Sequence, residues 1–226
     1  MTTALPNIKA VLFDLDGTLL DSAPDLGFAA NRLRIARGMT ELPLSQYRPF
    51  VGTGARGMLR IALNVTPLAS DFEDLKEEFF IAYEQCMGQH SQLFDGVPYL
   101  LKALHLHSVP WGIVTNKSER FALPIIRTTP AFEGVGTIVC GDTTAHAKPH
   151  PMPLLEAAQR LNIKPQDCMY VGDDERDMQA AHAAGMQSIA AAYGYLGAEG
   201  NVQTWNPHAV INAPAEVLQL LGLSQP

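Results

Sequence analysis

Apolar residues along this chain follow two rhythms. In six places they form short, almost unbroken runs: KAVLF at 9–13, WGIVT at 111–115, GTIVC at 136–140, CMYVG at 168–172, SIAAAY at 188–193 and HAVIN at 208–212. Runs this short, without polar alternation, fit strands that are covered on both faces. Between them the spacing changes to steps of three and four. GVPYLLKALHLH leads into the second run, and SERFALPIIRT leaves it with Ser118 as the predicted N-cap. PMPLLEAAQRL opens on prolines suited to a first turn, ERDMQAAHAAG closes on Gly185, and APAEVLQLLG closes on Gly222. Strand and helix in regular alternation predict an α/β fold with a doubly wound parallel sheet. Its chemistry should then gather at the carboxyl ends of the strands.

One segment breaks the alternation. From about Ser22 to Ser91 only helical signals occur: APDLGFAANRLRIARG, PLSQYRPFV, GARGMLRIALN and DFEDLKEEFFIAYEQCMGQ. The last carries Phe72, Leu75, Phe79 and Tyr83 at helical spacing, with acidic residues elsewhere, as an amphipathic helix does. A stretch this long cannot be a loop in a compact domain. It predicts a helical domain over residues 21–91 inserted into a core made of 1–20 and 92–226. An insertion just after the first strand hangs from the carboxyl edge of the sheet, where it can act as a lid.

Composition narrows the class. The chain has 226 residues, 47% hydrophobic and 17% charged, with a formal net charge of −7. Its Lys and Arg residues are dispersed, which disfavours a nucleic-acid partner. The N-terminal MTTALPNIKA has no charged region followed by an apolar one, and no apolar run is long enough to span a bilayer, so a cytoplasmic protein without a membrane partner is expected. Cys86, Cys140 and Cys168 have neither CxxC spacing nor an even count, and read as buried small side chains.

The candidate chemistry lies at the strand ends. AVLFDLDGTLLDS puts Asp14 and Asp16 two residues apart after the first run, on the same side of an extended backbone. Like charges at ~4 Å repel by about 4 kcal/mol at a protein-like dielectric. A divalent cation or a retained proton would relieve the crowding. Thr115 and Asn116 end the second run, where a hydroxyl, an amide and the turn's N–H groups could hold phosphate oxygens. Lys148 lies in HAKPHP between backbone-restricting prolines. Asp173, Asp174 and Asp177, in VGDDERD, follow the fourth run and open a helix. Singly, each signal is ordinary turn or helix-start chemistry; together, in order and each at a strand end or beside one, they point to one site.

DLDGT, VTN, the lone Lys148 and GDDERD resemble the four signature motifs of the haloacid dehalogenase superfamily, over essentially the whole chain. The resemblance implies a Rossmann-like core and a C1-type helical cap. Within the superfamily the chain is similar to bacterial phosphoglycolate phosphatases, and HSQLFDGVPYLL, WGIVTNKSERFALPII and AAYGYLGAEGN are similar to N-acetylmuramic acid 6-phosphate phosphatases. It implies a phosphomonoesterase acting on a small phosphorylated metabolite, with Asp14 as nucleophile and Asp16 as general acid and base. It further implies Mg2+ held by the side chains of Asp14 and Asp173 and the backbone carbonyl of Asp16. Lys148, Thr115 and Asn116 would bind the phosphoryl group, and Asp177 would orient metal-bound water or Lys148. Asp174 stands where relatives often carry Ser or Thr, and no role is assigned to it.

Arg56, amid the glycines of FVGTGARGM, could reach a carboxylate or phosphate on the substrate. Tyr193 and Tyr195 could line the rim of the site or pack as half-buried aromatics. A phosphosugar mutase would also retain Asp16. A dehalogenase is disfavoured because those enzymes lack an acid there, and a non-catalytic binding protein would be expected to have lost one of the four motifs.

Overall fold

In the computed structural model, which describes residues 5, 7–197 and 200–223, each of the six apolar runs forms a strand. In chain order the strands are β1 (Ala10–Phe13), β2 (Leu20–Asp21), β3 (Gln92–Leu93), β4 (Trp111–Val114), β5 (Thr137–Val139), β6 (Cys168–Gly172), β7 (Gln187–Ala191) and β8 (Ala209–Ile211). Six make one sheet in the order β5-β4-β1-β6-β7-β8, with every neighbouring pair parallel. β1, β4 and β6 are buried along their whole length, which is why their sequences show no polar alternation. The chain builds from β1 outward to β4 and β5, then returns to lay β6, β7 and β8 on the other side. Such a reversal leaves a crevice beyond the strand carboxyl ends, beside β1 and β6. Those two strands pair with Phe13 opposite Val171.

β2 and β3, which the apolar pattern does not reveal, are two residues each and pair with one another where the chain leaves and re-enters the core. Between them lie α1 (Ala23–Ala36), α2 (Leu44–Tyr47), a 3-10 turn at Arg48–Thr53, α3 (Ala55–Leu63) and α4 (Phe72–Glu84). This is the inserted helical cap. On α4 the stripe Phe72, Leu75, Phe79 and Tyr83 is buried, and α4 packs on α1 and α3. Fully burying a side chain of this size contributes roughly 1.5–3 kcal/mol. Asp25 on α1 is fully buried, with its carboxylate accepting from the N–H groups of Gly88, His90 and Ser91 and from the Ser91 hydroxyl. It thereby joins the first cap helix to the last cap segment.

The core helices are α5 (Val97–Leu106), α6 (Glu119–Thr128), α7 (Met152–Arg160), α8 (Glu175–Ala184) and α9 (Glu216–Leu220). α7 and α8 pack together against β4 to β7, and α5 pairs with α9. Ser118 occupies the N-cap position of α6, but its side chain makes no capping bond. The Glu119 N–H donates instead to Asp142 Oδ1 at 2.8 Å, an acceptor brought in by the loop after β5.

By contact density the described residues fall into two compact units. One contains the residues up to Leu20, Leu93–Leu196 and those from Asn201 onward; the other contains Asp21–Gln92 with Gly197 and Gly200. The three cysteines are buried free thiols, and burial pushes each up to about 11. Among the described residues no helix is long and apolar enough to cross a membrane.

Candidate active site

Asp14 follows β1 directly, and its N–H donates to Val171 O at 2.9 Å, which fixes the backbone where the strand ends. Its Oδ1 accepts from the Leu15 N–H at 2.7 Å and faces Lys148 Nζ at 3.0 Å. Asp16 turns elsewhere: Lys117 Nζ donates to its Oδ1 and Oδ2 at 3.0 and 3.1 Å. The crowding of two carboxylates is therefore relieved in part by a separate lysine for each. Lys117 is not among the candidate residues that the strand-end motifs point to. Its signal was adjacency: a cation immediately after Thr115 and Asn116, in a turn already singled out.

Lys148 is engaged on several sides. Its Nζ donates to Tyr170 Oη at 2.7 Å, Asp177 Oδ1 at 2.7 Å and Val114 O at 3.1 Å, besides facing Asp14. Burial works against its charge, but Asp14 and Asp177 outweigh burial and raise its pKa, so it stays an ammonium. Its backbone is clamped by Asn116: the amide nitrogen donates to Lys148 O, and Lys148 N–H donates to the amide oxygen, both at 2.9 Å. Both polar atoms of the Asn116 side chain, which is expected to hold phosphate oxygens, therefore meet the lysine loop. Thr115 is buried, and its Oγ1 accepts from the Lys117 N–H at 3.1 Å.

Asp173 follows β6 and is 4% exposed. Both of its oxygens are taken by neutral donors, Thr18 Oγ1 at 2.9 Å and the Tyr195 N–H at 2.8 Å. It is seated between two glycines. A Cβ on Gly17, whose φ is +87°, would lie 2.1 Å from Asp173 Oδ2, and one on Gly194 would lie 2.2 Å from Asp173 Cβ. No other residue could let the two loops close on this carboxylate. Burial, with Asp14 and Asp177 adding to it, raises the Asp173 pKa well above the usual carboxylate range. Asp14 is pushed up to about 7, by burial first, against the pull of Lys148 and with help from Asp177 and Asp16.

Asp177 accepts from Tyr170 Oη at 3.1 Å and from the Asp174 N–H at 3.1 Å, as well as from Lys148. Asp174 is the N-cap of α8 in a capping box with Asp177, and its carboxylate holds the Arg176 N–H and guanidinium. Its place is at the helix start. Tyr193 and Tyr195 pack on Phe94, with ring centroids 5.3 and 6.3 Å away, and Tyr193 Oη donates to Thr18 O at 3.0 Å. What Tyr195 brings to the site is its backbone N–H. Arg56 is exposed at the start of α3 in the cap.

The structure thus brings together Asp14, Lys148, Asp173 and Asp177, from chain segments far apart. Asp14, Asp173 and Asp177 each offer an oxygen, all within 4.8 Å of one another. Three carboxylates cluster where one ammonium faces two of them, Asp14 and Asp177, which leaves two negative charges unmatched when all are ionised. A set of hard oxygen donors with that charge fits a hard divalent cation.

A family model described as haloacid dehalogenase-like hydrolase matches residues 11–191. The chain is 43% identical over 218 residues to a phosphoglycolate phosphatase of Xanthomonas campestris pv. campestris, covering 96% of this chain and 98% of the relative. It is 37% identical over 214 residues to an N-acetylmuramic acid 6-phosphate phosphatase of Pseudomonas aeruginosa, covering 95% of each. Among solved structures, a predicted phosphoglycolate phosphatase from Haemophilus somnus superposes with a TM-score of 0.84 at 25% identity, covering 96% of this chain and 99% of that one.

Proposed function

This chain belongs to the haloacid dehalogenase-like hydrolase family and is a phosphatase of that superfamily, and from that premise we propose that it is a Mg2+-dependent hydrolase of 2-phosphoglycolate working through an aspartyl-phosphate. The observation that carries the reading is the meeting of Asp14 with Asp173, Asp177 and Lys148 at the ends of β1 and β6.

Asp14 is the nucleophile. With Oδ1 turned to Lys148 and the Leu15 N–H, Oδ2 is the oxygen left to attack phosphorus. As the new O–P bond forms and the bond to the glycolate oxygen breaks, Asp16 gives its proton to that departing oxygen. In the second half, water attacks phosphorus, Asp16 takes the water's proton, and phosphate leaves with Asp14 restored. One hard displacement becomes two easier ones. Lys148 and the Thr115 hydroxyl bear on the transferring oxygens, Asn116 fixes Lys148, and Asp177 with Tyr170 keeps the lysine head in place. Mg2+ would be held by the carboxylates of Asp14 and Asp173 and the backbone carbonyl of Asp16, with Asp177 close by. When bound it supplies the positive charge that lets a phosphate dianion approach these acids.

The glycolate assignment is supported by the high identity to phosphoglycolate phosphatases over almost the full chain. A second substrate reading, N-acetylmuramic acid 6-phosphate, is favoured by the phosphatases of that name that match at nearly the same coverage. Both substrates carry a carboxylate, to which we assign the exposed Arg56 of the cap. The test is kcat/KM over a panel containing 2-phosphoglycolate, N-acetylmuramic acid 6-phosphate and hexose phosphates, repeated with Arg56→Ala. Phosphoglycolate is expected to rank first, and Arg56→Ala to raise KM for the carboxylated substrates more than for an aryl phosphate. A panel led by an uncarboxylated sugar phosphate would remove both assignments.

A further inference from the structure

Asp16 lies in the loop after β1, and its carboxylate meets a cation from elsewhere in the chain. The partner comes from 101 residues away: Lys117 Nζ sits 3.0 and 3.1 Å from the two oxygens, astride the carboxylate. The lysine side chain is 8% exposed and that of Asp16 is 16% exposed, so the pair is largely removed from water. The stem of Lys117 starts from a rigid anchor. Its N–H donates to Thr115 Oγ1 at 3.1 Å, and its carbonyl accepts from the Gly141 N–H at 2.9 Å. A Cβ at Gly141 would lie 2.3 Å from Asn116 O, so the turn after β5 presses directly on the turn after β4. Backbone from two strand ends therefore holds Lys117, and Lys117 holds a carboxylate from a third.

We propose that Lys117 is the positioning residue for Asp16, aiming the general acid and base at the leaving oxygen while Lys148 serves the nucleophile. The division follows from the distances: Lys148 faces Asp14 and Asp177, and Lys117 clasps both oxygens of Asp16. Proton transfer to a departing oxygen is steeply sensitive to where the acid sits. A residue acting only through Asp16 matters for a poor leaving group, which needs its proton. It matters little for nitrophenolate, which departs without one. The proposal rests on the reading of Asp16 as general acid and base.

The experiment compares kcat/KM for an alkyl phosphate, 2-phosphoglycolate, with that for p-nitrophenyl phosphate in the wild type, Lys117→Met, Lys117→Arg and Asp16→Asn. Lys117→Met is expected to lose about 10- to 100-fold on the alkyl substrate and under about 3-fold on the aryl one. The aryl substrate should show a burst of nitrophenolate followed by slow turnover, because the water step still needs the base. Lys117→Arg, which can clasp a carboxylate, should restore the wild-type ratio of the two substrates. Equal losses on both substrates, or none on either, would overturn the proposal provided Asp16→Asn shows the leaving-group contrast. An Asp16→Asn variant without the contrast would remove the acid assignment itself. Thermal unfolding checks each variant, and Lys117→Gln is read by the same criteria where Lys117→Met does not fold.

Discussion

At the scale of single residues, Asp14 decides most. Replacing it with Asn keeps the shape and removes the proposed nucleophile, so turnover of p-nitrophenyl phosphate should fall by a factor on the order of 10⁴; near-normal steady-state release of nitrophenolate would refute the covalent route. Asp14 also carries a pH signature. Burial holds its carboxyl at about 7 in the folded chain, against an ordinary value of 3.8. A group raised on folding favours the folded state at low pH and loses that contribution as pH climbs through its folded value. In metal-free protein the urea midpoint should therefore drop between about pH 4 and 7, and Asp14→Asn should reduce that slope. The residue chemistry at strand ends was legible in sequence because Asp14, Lys148 and Asp173 stand out by type and by place. Lys117 was not, since a lysine in a turn carries no mark of the carboxylate it will meet.

Among the elements, the loops after β1 and β7 close on Asp173 through Gly17 and Gly194. Gly194→Ala would drive a methyl into Asp173 Cβ and Gly17 O, atoms with no freedom to yield. The Mg2+ concentration for half-maximal activity should rise, with about 1–3 kcal/mol of stability lost to overpacking; an unchanged metal response would show that the seat of Asp173 does not matter. In the cap, Asp25 binds the 88–91 segment to α1. Asp25→Ala strands those N–H groups, and urea unfolding should report a loss of about 1–3 kcal/mol. The amphipathic stripe of α4 was readable because helix periodicity is a short-range property, whereas Asp25 looked like any acidic residue in a first helical turn. The capping of α6 went to Asp142 and not to Ser118 for the same reason: the acceptor came from another strand end.

For the whole molecule, the unmatched negative charge at the end of β1 and β6 should make activity depend on a cation. Thorough chelation should abolish hydrolysis and Mg2+ restore it; full activity in chelator would contradict the charge argument. The strand runs, the parallel alternation and the inserted helical segment could be read from the chain alone, because burial on both faces and helical spacing are written in residues no more than a few positions apart. Which partner each charge found could not. Asp14 and Asp16 are neighbours in sequence, yet one faces Lys148 and the other Lys117, and the Asn116 amide turned to the Lys148 backbone. Those pairings are settled by strand order and loop closure, which bring together groups a hundred residues apart, and only the folded sheet specifies them.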